Sequence, residues 1–411
     1  MKLLHFADLH LGLENYGRTD SSSGVNTRFL DFLRCFDFLV EEALRRRVDL
    51  VLFAGDAFRS REPSPTHQCA FAERVYRLAQ AGIPVFLLLG NHDLPAHPSR
   101  ANSLSIFSTL QVPGVIVASR AELHRVATPA GPLQIAAVPA LARSQLLSAE
   151  EMRSLDLETL RLRLGQKLGE IVQTLAGQVD CSCPAVLAAH FSVEGATLGS
   201  EANLALGGEP LAPRALVADP TFDYVALGHL HKFQNLNPGG QPPVVYAGSL
   251  DRVDFSEERD EKGFVVAEVS QGAASCELVA TPAREFITLR VRVEGGDATA
   301  QVLEAISAAP VKDRVVRLVV AMREQQPLDE RAIRQALREA FWLCPPVKEV
   351  AVAQDRRRAP ALTEQLANPM EALEQYLHTR DFSAERRERL REYGARLLAR
   401  AAEEGWGEGE V

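Results

Sequence analysis

The sequence has no apolar run that reaches the roughly 18 residues needed to span a membrane. A leader pattern is missing too. Met1-Lys2 runs straight into an apolar stretch that already carries Asp8, so a cytoplasmic protein without membrane attachment is expected. The six cysteines are scattered, and the one close pair, Cys181 and Cys183, fits neither a disulfide framework nor a zinc site. No Gly-x-Gly-x-x-Gly loop opens a helix, which removes the usual dinucleotide-binding fold. No internal repeat is evident. An excess of basic residues is also lacking: the formal charge is -9. That argues against a chain that holds nucleic acid unaided, because affinity for phosphates rests largely on Lys and Arg. Divalent cations at a site, or a basic partner protein, would offset the carboxylates.

What is present suits a globular protein of two or three domains: 411 residues, 46% apolar and 24% charged. Up to about residue 280 strand and helix patterns alternate. Apolar runs at 3–7, 49–54 and 83–89 are separated by helical patterns at 27–47 and 66–81. Further strands are expected at 115–117, 133–138, 186–189, 224–227, 244–246, 264–269 and 276–281, with one long helical insert at 149–176. Continuous apolar strands point to sheets covered on both faces. The reading is α/β: two packed sheets flanked by helices over 1–283.

From about 284 the composition changes. Strands at 286–293, 315–322 and 347–353 alternate with helices at 297–309 and 329–342, which makes a small α+β domain over 284–355. Residues 356–411 read as a linker (Arg356-Arg357-Arg358, Pro360) and two helices. The first runs from Met370 to about Leu377, after Asn368-Pro369. The second covers about 384–404, with Ser383 as N-cap and Leu390, Tyr393, Leu397, Leu398 and Ala401 on one face. That stripe suits packing within the chain or docking to a partner helix. Residues 405–411 are expected to fray.

Chemistry is concentrated at the ends of the strands. Asp8-Leu9-His10, Gly55-Asp56, Gly90-Asn91-His92-Asp93, His190 and Gly228-His229-Leu230-His231 each follow an apolar run. In open α/β sheets, functional residues collect beyond the strands' carboxyl ends. Taken singly, most of these motifs are ordinary turns or satisfied core histidines; the five together, each in the same position, point to one two-metal centre. Hydrolysis of a phosphate ester needs a strong nucleophile and neutralised phosphate charge, and two divalent cations supply both. Asp56 is the natural bridging carboxylate. Asp8 and His10, two residues apart at a strand end, suit one ion, and His229 and His231 repeat that spacing. Asn91 adds a neutral oxygen. The mixture of carboxylate, imidazole and amide favours Mn²⁺, Fe²⁺ or Zn²⁺ over Mg²⁺. His92 is placed to act as a general acid, with Asp93 orienting it. His5, His67, His97, His124 and His378 read as surface or core histidines. Arg59 and Arg61 suit a solvated loop, or contacts to DNA phosphates beside the metals.

This order of motifs resembles the calcineurin-like metallophosphoesterases over roughly 1–235. Asp8-Leu9-His10-Leu11-Gly12, Gly55-Asp56-Ala57-Phe58 and Tyr246-Ala247-Gly248-Ser249-Leu250-Asp251-Arg252 with Asp254-Phe255 resemble one branch, the SbcD-type subunits of the double-strand-break-repair nuclease. The resemblance implies one ion on Asp8, His10, Asp56 and His231, and a second on Asp56, Asn91, His190 and His229, with His92 as catalytic acid and Mn²⁺ as the metal. It further implies 3′-to-5′ exonuclease action on duplex ends and endonuclease action on single strands and hairpins, in DNA repair, recombination and replication. Residues 284–355 would be a DNA-capping domain, and the tail helices would dock an SbcC-type coiled-coil ABC ATPase. A homodimer is implied as well, with Phe29 to Phe38 and Pro98 to Phe107 as contact regions. Two positions depart from the pattern. Arg59 stands where archaeal and eukaryotic relatives have a histidine, and Ala247 replaces the usual proline. Two other functions remain open: a small-nucleotide phosphodiesterase on the same scaffold, and a non-catalytic DNA-binding regulator of an ATPase. The length beyond 284 argues against the first, and the intact His92 and ligand set argue against the second.

Overall fold

In the computed structural model, residues 1–95, 97, 100–197, 199, 209–322, 326–350, 370, 373, 374, 377 and 382–403 are described. The chain divides into two compact units, Met1–Ala321 with Gln326–Glu349, and Met322–Gln325 with Val350–Val411. The strands in chain order are β1 (Lys2–Phe6), β2 (Leu50–Phe53), β3 (Val85–Leu88), β4 (Val115–Ala118), β5 (Glu122–Thr128), β6 (Gly131–Val138), β7 (Ala185–His190), β8 (Ser192–Val193), β9 (Leu211–Ala212), β10 (Tyr224–Gly228), β11 (Gln234–Asn235), β12 (Val244–Tyr246), β13 (Gly263–Ser270), β14 (Ala273–Ala280), β15 (Phe286–Val293), β16 (Val315–Met322), β17 (Trp342–Leu343) and β18 (Val347–Val350).

Two six-stranded sheets form the body. The first has the order β14-β13-β1-β2-β3-β4, and the second β11-β12-β10-β7-β6-β5. Strands β1 to β4 are mutually parallel, and β13 adds to β1 antiparallel with Leu3 opposite Ala267. In the second sheet β12, β10, β7 and β6 are parallel. The two-residue period of a strand divides each sheet between two cores. In β1, Leu4 and Phe6 face the helices Thr27–Arg46 and Pro65–Gln80, while Leu3 faces the second sheet. The core between the sheets is built from Leu3, Leu50, Leu52, Phe86 and Leu88 against Leu133, Ile135, Val186, Ala188 and Ala226. The far face of the second sheet is covered by the helix Leu157–Ala176 through Leu168, Val172 and Leu175. The expected α/β sandwich of two sheets between helical layers is therefore observed. Among the described residues no helix is long and apolar enough to cross a membrane.

Several elements differ from the sequence reading. The helical insert is broken after Ser154: Asp156 accepts the Thr159 N–H at 2.9 Å and caps a new helix. Strand β5 has no counterpart among the expected strands. It is an edge strand with a mostly solvated face, so its apolar pattern is weak. The helix expected over 329–342 is only Glu330–Ala336, because Trp342–Leu343 pairs with β16 instead. All six cysteines are free, and His5 is a core histidine against the Tyr224 hydroxyl at 3.0 Å.

A third sheet joins β15, β16 and β17, with β18 also paired to β16. In the second unit Ser383 Oγ accepts the Arg386 N–H at 3.3 Å, which caps the helix Ala384–Glu403 as expected. Of the helix expected from Met370, residues 370, 373, 374 and 377 are described and are helical. The linker around 356–360, Asn368-Pro369, His378, Pro98 and residues 405–411 lie outside the described residues.

Candidate metal centre

The two sheets bring the five motifs to one edge of the sandwich. Asp8 and His10 follow β1, Asp56 follows β2, Asn91 and His92 follow β3, His190 ends β7, and His229 and His231 follow β10. Within each sheet these strands are parallel, β1, β2 and β3 in the first and β7 and β10 in the second, so the donors of each sheet leave from one end of it. Neighbouring strand ends run on side by side: the His10 N–H donates to the Asp56 carbonyl at 3.1 Å. Four of the candidate residues have left-handed backbone, with φ of 51° at Asp8, 46° at His10, 63° at Asp56 and 98° at His229. Such conformations are uncommon for residues other than glycine and concentrate at functional sites. The sheets meet closely here. A Cβ at Gly228 would lie 2.1 Å from the Ala54 carbonyl oxygen, so only glycine lets β10 approach β2.

Three overlapping groups of side-chain donors result, each with its atoms within 4.8 Å of one another: Asp8, His10 and His231; His10, Asp56 and His92; Asp8, Asp56 and His190. His10 and His231 present Nε2 to Nε2 at 2.9 Å. Asn91 Oδ1 receives His190 Nε2 at 3.0 Å and His229 Nδ1 at 3.1 Å. Asp56 Oδ2 is 3.5 Å from His190 and 3.8 Å from His10, which leaves it between the groups. The residues expected to form a metal centre are thus brought together. Arg59 and Arg61 are exposed on the loop after β2.

The chemistry of this donor set fits divalent cations. The Nδ1–H of His231 donates to the Glu257 carboxylate at 2.8 Å, so its Nε2 carries a lone pair. The His10 Nε2 faces that lone pair at 2.9 Å, and a cation beside the two rings would take one lone pair from each. The carboxylates show the same tension. Burial pushes the Asp8 carboxyl up to about 6. Burial and the Asp56 charge push Asp93 up to about 7. Burial acts on Asp56 in the same direction, but His190 and its other histidine neighbours outweigh it and hold it well below the carboxylate range. His190 is buried, which disfavours its charge, yet the Asp56 carboxylate raises it to about 9. Bound cations relieve such crowding of carboxylates.

One expected role needs correction. Asp93 does not orient the His92 ring. Its two oxygens accept the backbone N–H groups of Asp56, Gly90 and Ala57 at 2.8, 2.9 and 2.9 Å. It therefore shapes the turn that carries Asp56. The His92 Nδ1–H instead donates to the Arg59 carbonyl at 3.0 Å, and the His92 backbone N–H donates to Asp56 Oδ1 at 2.8 Å. Burial lowers the His92 pKa, against the opposing pull of the Asp56 carboxylate.

Sequence reasoning missed the carboxylates behind the histidines. Glu209 accepts from His229 Nε2 and from the Ser192 hydroxyl. Glu257 is fully buried and holds both His231 and the Lys262 ammonium, at 2.8 Å each. Both lie outside apolar strands, where no periodicity marks them. The one available signal is chemical, since a metal-ligating histidine needs an acceptor for its second nitrogen.

A family model settles the class to which this edge belongs: that of the calcineurin-like phosphoesterases matches residues 1–233. The chain belongs to the calcineurin-like phosphoesterase family. Metal-dependent phosphoester cleavage, the chemistry expected from the motifs, is thus the reaction class of this phosphoesterase. Among curated relatives, the DNA double-strand break repair protein Mre11 of Aeropyrum pernix is 30% identical over 307 residues, covering 72% of this chain and 64% of that protein. The SbcD component of the SbcCD nuclease of Bacillus subtilis is 28% identical, covering 66% of this chain and 67% of its own. The component of the same name from Rhodobacter capsulatus is 28% identical, covering 80% and 82%. The phosphoesterase therefore spans just under two thirds of the first of these proteins and more of the other two.

Proposed function

We propose that this phosphoesterase is a DNA nuclease that works with a two-ion centre. The observation that carries the reading is the convergence of seven donor residues from five strand ends, with His92 beside them. The names of the relatives, a DNA-break-repair protein and nuclease components, support DNA as the substrate. One ion would be held by Asp8, His10, Asp56 and His231, and the other by Asp56, Asn91, His190 and His229. Mn²⁺ is the metal. When bound, the ions supply an acidified water and charge neutralisation at the phosphate.

The protein's own groups do the rest. Asp56 holds both halves of the centre at a fixed spacing. His92 takes up a proton from solvent at Nε2 and gives it to the leaving oxygen, while the Arg59 carbonyl accepts the Nδ1–H of the imidazolium. Arg59 and Arg61 meet backbone phosphates from the exposed loop. The activities are 3′-to-5′ exonuclease on duplex ends and endonuclease on single strands and hairpins. Residues 284–355 cap the DNA, and 356–411 are a linker and C-terminal helices that dock an SbcC-type ATPase. The chain acts in the cytoplasm as a homodimer. The partner's surface supplies the positive charge that this chain, at -9, lacks.

The test is Mn²⁺-dependent cleavage of linear duplex and single-stranded DNA, measured beside a small phosphate bis-ester. Cleavage of DNA with little action on the bis-ester is the expected result. The reverse preference would make the chain a small-nucleotide phosphodiesterase, and no cleavage of either would make it a non-catalytic regulator.

A further inference from the structure

A single short turn touches both the metal centre and the third sheet. It is a 3₁₀ turn, Phe255–Glu257, entered through Asp254 and followed by Glu258. The side chains of Glu257 and of its neighbours Phe255 and Glu258 reach different parts of the protein. Glu257 points into the protein. One of its oxygens accepts the His231 Nδ1–H at 2.8 Å, and the other accepts the Val253 N–H at 2.9 Å and pairs with Lys262 at 2.8 Å. Lys262 in turn donates to the His231 carbonyl at 2.9 Å and the Ser249 hydroxyl at 3.0 Å. His231 is thus gripped at its ring by Glu257 and at its backbone by Lys262. Both groups are nearly without solvent exposure, so neither interaction is weakened by water.

The neighbours of Glu257 face the third sheet. The Phe255 ring packs edge-on against Phe286 of β15, with centroids 5.0 Å apart, and against Tyr16 at 5.4 Å. The Arg317 guanidinium of β16 lies over the Phe255 ring at 4.3 Å. Glu258 accepts the Thr288 backbone N–H at 2.8 Å and the Thr288 hydroxyl at 2.5 Å. Arg317 also donates to that hydroxyl, at 2.9 and 3.1 Å. The turn is therefore pinned to β15 and β16 on one side and to a candidate ligand on the other.

We infer that Glu257 is the positioning residue for His231, and that the turn 254–258 couples the seating of the third sheet to the affinity of the ion His231 holds. This rests on the two-ion reading above. The physical reason is short-range and mechanical. Glu257 fixes both the tautomer and the direction of the His231 ring, and removing such a partner lowers metal affinity by about 10–100-fold. A turn of three residues has little freedom to move Phe255 and Glu258 while leaving Glu257 in place. Coupling of this kind runs both ways: what third-sheet seating does to metal affinity, metal does to third-sheet seating.

The experiment uses the full chain. Mn²⁺ binding is followed by calorimetry in the wild type, in Glu257→Gln, in Glu257→Ala, and in the double variant Phe255→Ala with Glu258→Gln, each checked for folding by circular dichroism. The wild type should bind two ions. Glu257→Ala should weaken one of them by about 10–100-fold and leave the other near its wild-type affinity. Glu257→Gln, which keeps an acceptor for His231, should lie between. The double variant leaves Glu257 in place and should still weaken the same ion. The wild type also gives a readout that needs no variant: hydrogen exchange of the Thr288 amide should slow when Mn²⁺ is added. Two ions bound by the wild type, with both affinities unchanged in Glu257→Ala, would overturn the positioning role and leave the two-ion reading intact. An unchanged double variant, or a Thr288 amide indifferent to Mn²⁺, would overturn the coupling. A wild type that binds no Mn²⁺ would remove both this inference and the two-ion reading.

Discussion

His10 and His231, separated by 221 positions in the chain, face each other Nε2 to Nε2 at 2.9 Å. One follows a central strand of the first sheet, the other a central strand of the second. The centre is therefore neither a loop motif nor a pocket within one sheet. It is the seam between two sheets, and a shift of either sheet separates its halves.

In the proposed mechanism the acid step is assigned to His92. His92→Ala is expected to bind two Mn²⁺ and to cleave DNA about 10²–10⁴-fold more slowly than the wild type. Elemental analysis and turnover on linear duplex measure the two quantities. Full turnover in this variant would remove the role given to the ring.

Asp56 lies between the donor groups and also accepts the His92 N–H. Asp56→Ala should therefore lose at least one ion by elemental analysis, together with turnover. Two ions retained would refute the bridging assignment.

The Glu257 carboxyl gives a pH dependence with a definite sign. Burial disfavours its charge, but the His231 hydrogen bond and the Lys262 ammonium outweigh burial and hold it well below its usual 4.5. A carboxyl depressed on folding stabilises the protein above its unfolded pKa, and that stabilisation is lost as the pH falls through the folded value. Melting temperatures of chelated protein should therefore drop as the pH falls below about 4.5. Glu257→Gln, which has nothing to protonate, should start lower and show a flatter profile over that range. Parallel profiles for the two proteins would contradict the assignment.

The tail helix Ala384–Glu403 presents Leu390 and Tyr393 to solvent, at 36% and 61% exposure. Exposed apolar side chains on a helix rich in Arg and Glu suit a partner helix. Removal of 360–411, or Leu390→Asp with Tyr393→Asp, should abolish co-purification with an SbcC-type ATPase and spare Mn²⁺-dependent cleavage of single strands. Undiminished co-purification would place the docking surface elsewhere.

Much of the body is legible in the sequence because the strands of the two sheets are buried on both faces, which produces unbroken apolar runs. The donors stand where those runs stop, so the strands themselves mark Asp8, His10, Asp56, Asn91, His190, His229 and His231. Edge strand β5 lacks that signal, since one of its faces is solvated. The break at Asp156 is hidden because an aspartate reads equally as a polar helix position and as a cap. Adjacency suggests His92 as the partner of Asp93, whereas the Asp93 oxygens turn to the backbone of the Asp56 turn. Glu209 and Glu257 are defined by contacts to residues 20 and 26 positions away, which no local pattern encodes.

Of these strands β1 is synthesised first, yet it sits inside its sheet, between Leu50–Phe53 and Gly263–Ser270. One side of it waits for partners that emerge tens of seconds later, at synthesis rates of about 5–20 residues per second. Asp8 and His10 thus leave the ribosome long before His229 and His231. A chain that ends before His229 carries an incomplete donor set. The donor set is complete only once β10 has been made and its sheet has closed against the first.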